Sequence, residues 1–179
     1  MNHLKLIRKA KNGNKKAFEN LLSLHSEQLY RTAFLYTGNR EDALDIVQET
    51  SYKAFSSIGT LKEDKYFSTW LTRILIYSAY DLKNKQKKDI PIENVGEISS
   101  KKDERSIEHM DLVKAINELQ DTYRDAIILF YYQDLPIKEV ASIMNVPGNT
   151  VKTYLQRGKK RLKTILEGMG YNEGKVISR

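Results

Sequence analysis

The chain is expected to be all-α: two small helical domains joined by a flexible linker, the second containing a helix-turn-helix. Apolar residues recur at spacings of three and four almost throughout, the period of an amphipathic helix. Only 3 prolines and 9 glycines interrupt the 179 residues. The pattern lapses between residues 87 and 106, where the sequence is polar, charged and without helical period, so that a first domain over 1–86 is set apart from a second over 107–168, with a tail over 169–179. Ile90-Pro91-Ile92 within that stretch is expected to be extended.

In the first domain, residues 4–10 and 15–36 are expected to be helices, interrupted by Asn12-Gly13-Asn14 and ended by Thr37-Gly38-Asn39. The longer one carries a stripe of Phe18, Leu21, Leu22, Leu29, Ala33 and Phe34 for the core. A third helix over 40–56 contains DALDIVQET. Its Ala43, Val47, Thr50 and Ala54 share one face, expected to pack inward, and Asp42, Asp45, Ile46 and Glu49 share another. An isoleucine set among three carboxylates suits a docking surface with an apolar centre and a charged rim; a solvated acidic face with one stray apolar residue is the plainer reading. Catalysis by these carboxylates is disfavoured, because no histidine, cleft signal or glycine-rich loop accompanies them.

Residues 57–65 read as a loop, and 67–85 as a helix with Ser68 near its start as a cap. Leu71, Ile74, Leu75, Ser78 and Leu82 form its inward face, and Trp70, Arg73, Tyr77 and Asn84 lie on the other side. Aromatic side chains alternating with a cation suit stacking against unpaired bases. The alternative is that Trp70 merely plugs the edge of the core.

The second domain begins with helices over 107–119 and 122–133; the latter contains AIILFYY, an apolar run for the core. Ile137 to Met144 is short and amphipathic through Val140, Ala141 and Met144. Asn145 suits the left-handed conformation that ends a helix, Pro147-Gly148 breaks the pattern, and Asn149 is placed to cap a second helix. Val151, Leu155, Gly158, Leu162 and Leu166 share one face of that helix, while Lys152, Thr153, Gln156, Lys159, Lys160 and Lys163 lie away from it. No acid occurs from Asn149 to Ile165. A short helix, a small residue where two helices cross and a one-sidedly basic second helix make a helix-turn-helix, and so point to DNA binding.

Composition agrees. The excess of 30 Lys+Arg over 23 Asp+Glu gives a net charge of +7, which favours a polyanionic partner. There is no cysteine, which excludes disulfides, thiolate zinc sites and thiol catalysis in this chain. Met1 to Lys5 lacks the apolar run of a signal peptide. His3, His25 and His109 read as isolated, and no nucleophile, metal cluster or phosphate loop is visible, so no enzyme, metal, cofactor or small-molecule substrate is expected.

Four pieces, DALDIVQETSYKAF, FSTWLTRI with Asp81 downstream, LQDTYRDAIILFYYQDLPIKEVASIM and NTVKTYLQRGKKRL, resemble the extracytoplasmic-function sigma factors of bacterial RNA polymerase, the smallest members of the sigma-70 family. The resemblance covers nearly everything from Leu4 to Leu166, in order and spacing. It implies a cytoplasmic protein whose first domain is region 2. Asp42, Asp45, Ile46, Gln48 and Glu49 would dock on the clamp helices of the largest subunit of core RNA polymerase. Trp70, Arg73, Tyr77 and Asp81 would open the minus-10 promoter element and hold its single strand. The second domain would be region 4, reading minus-35 promoter DNA through Thr150, Lys152, Thr153, Gln156, Arg157 and Lys160, and the linker would run through the polymerase. An anti-sigma factor, often membrane-bound, would mask the same surfaces. Tyr77, Asn84, Asn149 and Tyr154 depart from the family pattern, which commonly has Asn, Arg, Gly and Arg there. The rival readings are a helix-turn-helix regulator acting without core polymerase, and a helical adaptor or polymerase inhibitor with no specific DNA site.

Overall fold

The computed structural model describes residues 3–89 and 104–171, with helices throughout and no strand among them. The chain forms two compact units, divided between Ile92 and Glu93. The first contains α1 (His3–Lys11), α2 (Lys15–Thr37), α3 (Arg40–Ser57) and α4 (Phe67–Asp89); the second contains α5 (Glu104–Asn117), α6 (Asp121–Ile127), α7 (Ile137–Met144) and α8 (Gly148–Gly168). The extended Ile90-Pro91-Ile92, and most of the expected linker, lie outside the described residues.

Local chemistry sets the boundaries of the first unit. Asn14 caps α2, its Oδ1 accepting from the Ala17 N–H at 2.9 Å. Gly38 ends that helix in the left-handed conformation (φ 70°), and its N–H donates to the Phe34 carbonyl. Asn39 then caps α3 through the Asp42 N–H at 2.8 Å and also donates to the Asp42 carboxylate at 2.7 Å. The expected loop after α3 is two 3₁₀ turns, Ile58–Thr60 and Asp64–Tyr66, pinned to the core by buried Ile58 and Leu61. The second turn runs directly into α4, so exposed Ser68 falls within the helix rather than before it.

The core of this unit is α3 packed between α2 and α4. Ala43, Ile46, Thr50 and Ala54 line its buried side, facing a layer that includes Leu21, Leu29, Ala33, Leu71 and Leu75. Thr32 and Thr50 satisfy their buried hydroxyls by donating to the carbonyls one turn back, both at 2.6 Å.

The second unit is built on a close helix crossing. A Cβ added at Gly158 of α8 would lie 3.2 Å from Ile127 and 3.3 Å from Tyr123, so glycine lets α6 and α8 approach. Ile165, rather than Leu166, completes the buried stripe begun by Val151 and Leu155. After α6 the AIILFYY run widens into a π-helical turn, Ile128–Tyr132, closed by the Gln133 N–H on the Ile128 carbonyl at 2.9 Å. Asn145 ends α7 in the left-handed conformation (φ 54°), as expected. Helix α8, however, starts two residues early: extended Pro147 is its N-cap and Asn149 sits inside the first turn. Proline lacks an N–H and holds its own φ, so it sets the helix entry without a side-chain bond. The expected tail also starts later, because Tyr171 is half-buried and its hydroxyl donates to Asp111 at 3.1 Å.

Arg124 fixes the turn between α5 and α6. It is buried, donates to the Ile116, Asn117 and Leu119 carbonyls at 3.3, 3.1 and 2.9 Å, and pairs with Asp121 at 3.0 Å. One side chain thereby donates to three carbonyls at and just beyond the end of α5. Arg124→Met removes three hydrogen bonds to buried carbonyls, although Ile116 keeps the Leu119 N–H at 3.2 Å, and should destabilise the protein by roughly 2 kcal/mol or more, read as a lowered denaturant midpoint.

Candidate nucleic-acid and partner interfaces

Three exposed surfaces carry the expected site residues. On α3, Asp45, Gln48 and Glu49 are exposed and Asp42 is half-buried, accepting from Gln86 at 3.0 Å as well as from Asn39. Ile46 is not part of this surface. It is 1% exposed and belongs to the core, because the buried arc of α3 is turned toward Ile46 and away from half-buried Val47. Asp42, Asp45, Ile46 and Glu49 straddle the edge of that arc, so the two exposed acids face solvent while the isoleucine tucks under. The apolar residues that α3 does expose are Leu44 (48%), Tyr52 (69%) and Phe55 (46%). With Gln48 they form a stripe at helical spacing away from the buried residues, flanked by Asp45 and Glu49, with the partly exposed Phe55 ring also packing edge-on against buried Phe18 at 5.3 Å. Pattern counting passed over Leu44, Tyr52 and Phe55 because an apolar residue on an amphipathic helix is normally counted toward the core. Their separation from Ala43, Ile46, Thr50 and Ala54 on the helical wheel was the available signal.

On α4, Trp70 is half-buried and Arg73, Tyr77, Asp81 and Asn84 are exposed along one side. The Trp70 ring packs on buried Phe67 at 5.8 Å between centroids. Arg73 lies over the Tyr77 ring at 5.7 Å, and its Nη2 donates to the Tyr77 hydroxyl at 3.3 Å. Asp81 faces α3, where Lys53 bridges it at 2.8 Å and Glu49 at 3.4 Å, raising the Lys53 pKa chiefly through the Asp81 hydrogen bond. A groove of about 410 Å³ between the two helices is lined in part by Asp45, Glu49, Tyr52, Asp81 and Lys85.

On α8, Lys152, Thr153, Gln156, Arg157, Lys159 and Lys160 are exposed and Thr150 is half-buried. The Thr153 hydroxyl donates to the Asn149 carbonyl at 3.1 Å. Lys159 lies 5.8 Å from the centre of the Tyr131 ring, which extends this cationic face onto the π-helical turn. Half-buried Tyr154 packs on Tyr123 at 5.8 Å, so an aromatic pair serves the α6–α8 contact.

His3 and His25, expected to be isolated, are in contact. Their Nε2 atoms are 3.1 Å apart, and both rings lie against Phe67, at 5.9 and 5.4 Å. They thus form a layer beneath the Phe67–Trp70 pair. No group of three or more histidine or acidic residues suited to a metal occurs among the described residues.

A two-unit helical protein with a basic recognition helix on one unit and an acid-rimmed apolar stripe on the other defines a class of DNA-binding proteins that also dock on a protein. Residues 21–89 match the family model of sigma-70 region 2, and residues 109–162 that of sigma-70 region 4. The chain is 39% identical over 143 residues to RNA polymerase sigma factor SigV of Bacillus subtilis, covering 79% of this chain and 86% of that one. It is 30% identical over 171 residues to the ECF RNA polymerase sigma factor SigM of Mycobacterium tuberculosis, covering 93% and 85%. The sigma factor RpoE of Bartonella quintana, solved with the anti-sigma factor NepR, superposes with a TM-score of 0.72 at 26% identity, covering 85% of this chain and 98% of that one. The fold is also that of CnrH, solved with the cytosolic domain of CnrY, at a TM-score of 0.74, 21% identity and coverages of 93% and 97%. The chain belongs to the extracytoplasmic-function group of the sigma-70 family of RNA polymerase sigma factors. It is a transcription initiation factor, not an enzyme, and the reading as a regulator acting without polymerase is set aside.

Burial of His25, followed by the charge of His3, lowers the His25 pKa below its usual 6.5, against an opposing hydrogen bond from Gln28. A base held neutral by the fold stabilises it above its unfolded pKa, and that contribution is lost as pH falls through the lower folded value. The denaturation midpoint should therefore drop as pH falls below 6.5, and His25→Gln should flatten that dependence.

Proposed function

We propose that the three surfaces divide the work of initiation: α3 docks on core RNA polymerase, α4 with the 58–66 segment opens and holds the minus-10 element, and α8 reads the minus-35 element. The observation that carries this reading is the exposed side of α3. A helix that buries Ala43, Ile46, Thr50 and Ala54 on one side has met its packing requirement, yet its opposite side presents Leu44, Gln48, Tyr52 and Phe55 beside Asp45 and Glu49. An apolar centre with a polar rim is what a protein interface requires, and the clamp helices of the largest polymerase subunit are the partner.

On α8, Lys152, Thr153 and Gln156 lie near the helix start and reach base edges, with Thr150 beside them. Arg157, Lys159 and Lys160 lie further along and hold phosphates. Lys152, Gln156, Arg157 and Lys160 are exposed on a helix whose described acid, Glu167, lies at its far end. Salt dependence should accordingly be steep.

On α4, Trp70, Arg73 and Tyr77 present aromatic faces and a cation to an unpaired strand, and Asp81 braces α4 against α3 through Lys53. The protein would be held inactive by an anti-sigma factor, the kind of partner solved with the Bartonella relative. A membrane-bound partner would place this cytoplasmic factor at the membrane; no helix among the described residues is itself long and apolar enough to cross one.

The test is affinity for purified core polymerase. Leu44→Ser with Phe55→Ser, and separately Asp45→Lys with Glu49→Lys, should each weaken binding by roughly 2 kcal/mol or more, about thirtyfold, while circular dichroism shows helicity retained. Unchanged affinity in both double variants would remove α3 as the docking element.

A further inference from the structure

Helix α1 lies before the stretch matched by the region 2 family model, which begins at residue 21. It nevertheless meets the proposed strand-opening surface at two points. Near its C-terminus, Arg8 and Lys11 both grip Asp64, each at 3.0 Å, across 56 and 53 residues of sequence. Asp64 opens the second 3₁₀ turn, immediately ahead of α4. At the N-terminus of α1, His3 touches both His25 and Phe67, the buried residue on which Trp70 packs.

The Lys11–Asp64 contact is partly shielded from solvent. The side chains of Lys11 and Asp64 are only 24% and 18% exposed, while Arg8, at 72%, closes the pair from outside. Arg8 and Lys11 stand three residues apart on one helix, so two cations from successive turns converge on one carboxylate. The Asp64 carboxyl is held below the usual carboxylate range by these bonds, that from Lys11 first. Within the 58–66 segment Ile58 and Leu61 are anchored by burial, whereas Glu63, Lys65 and Tyr66 are exposed. That exposed tip is held between buried Leu61 and buried Phe67, and Asp64 is the point at which α1 ties it from outside the segment.

We propose that α1 is a positioning element for promoter selection: Arg8 and Lys11 hold Asp64, and through it the 58–66 segment, in the register with Trp70 that determines which minus-10 base is accepted. This rests on the reading of α4 and the 58–66 segment as the minus-10 surface. Arg8, Lys11 and Asp64 act through the segment and need not touch the base.

The test uses the full chain with core polymerase on a promoter library randomised across the minus-10 element. In an Arg8→Gln background, which removes the second cation on Asp64, Lys11→Asp and Asp64→Lys each place like charges together, and the double variant Lys11→Asp, Asp64→Lys restores an opposite pair. Each single change should flatten the preference for the favoured base by roughly tenfold, because misplacement of a selecting group costs discrimination before it costs affinity. The double variant should return most of it. Core affinity and thermal midpoint serve as readouts that general unfolding would move. Wild-type preference in both single variants, or no recovery in the double variant, would overturn the proposal. A wild-type protein with no preference at the minus-10 element would overturn the underlying reading as well, which separates the two failures.

Discussion

Everything in the first unit depends on α3 lying between α2 and α4 with Ala43, Ile46, Thr50 and Ala54 shut away from solvent. In a thin layer of helices each apolar face can be buried only once, so whatever remains outside is available for other work. Burial of that one side turns Leu44, Gln48, Tyr52 and Phe55 outward and sets Asp45 and Glu49 beside them. The same packing orients α4, whose Leu71, Leu75 and Ala79 face inward and whose Arg73 and Tyr77 therefore face out. The second unit repeats the logic with a different device. Gly158 allows α8 to sit close on α6, and the cationic residues are left on the far side.

The fold was largely legible because helical period dominates the sequence. The limits of α7, the left-handed Asn145 and the end of α2 at Thr37-Gly38-Asn39 follow from the local sequence alone. Misreadings arose where two forces compete for one residue. Ile46 stands among carboxylates, and charge pattern placed it outside; burial turned the core arc by part of a turn and took it in. Asn149 has the chemistry of a cap, but Pro147 sets the backbone two residues earlier and makes it unnecessary. The 58–66 segment carries no period, so neither its two 3₁₀ turns nor the burial of Ile58 and Leu61 was visible.

Contacts distant in sequence were the least legible. Nothing in the spacing of His3 and His25, or of Lys11 and Asp64, says that these residues meet. Tyr154 shows the same limit on α8: nothing in the spacing says that it packs on the Tyr123 ring.

Strand opening is the central claim, because no nucleotide-hydrolysis motif is visible in the sequence to supply the work. DNA stacking averages about 1.4 kcal/mol per base-pair step, and a base stacked on an aromatic side chain returns roughly 1–3 kcal/mol. One or two bases captured at Trp70 would thus offset the opening of the first steps. The most direct measurement is transcription by core polymerase carrying the Trp70→Ala variant, on duplex promoter and on the same promoter mismatched across the minus-10 element. The account predicts a large loss on duplex and recovery of most activity on the pre-opened template, where the cost of melting has been removed. An equal defect on both templates would show that Trp70 acts only by packing on Phe67, and would contradict it.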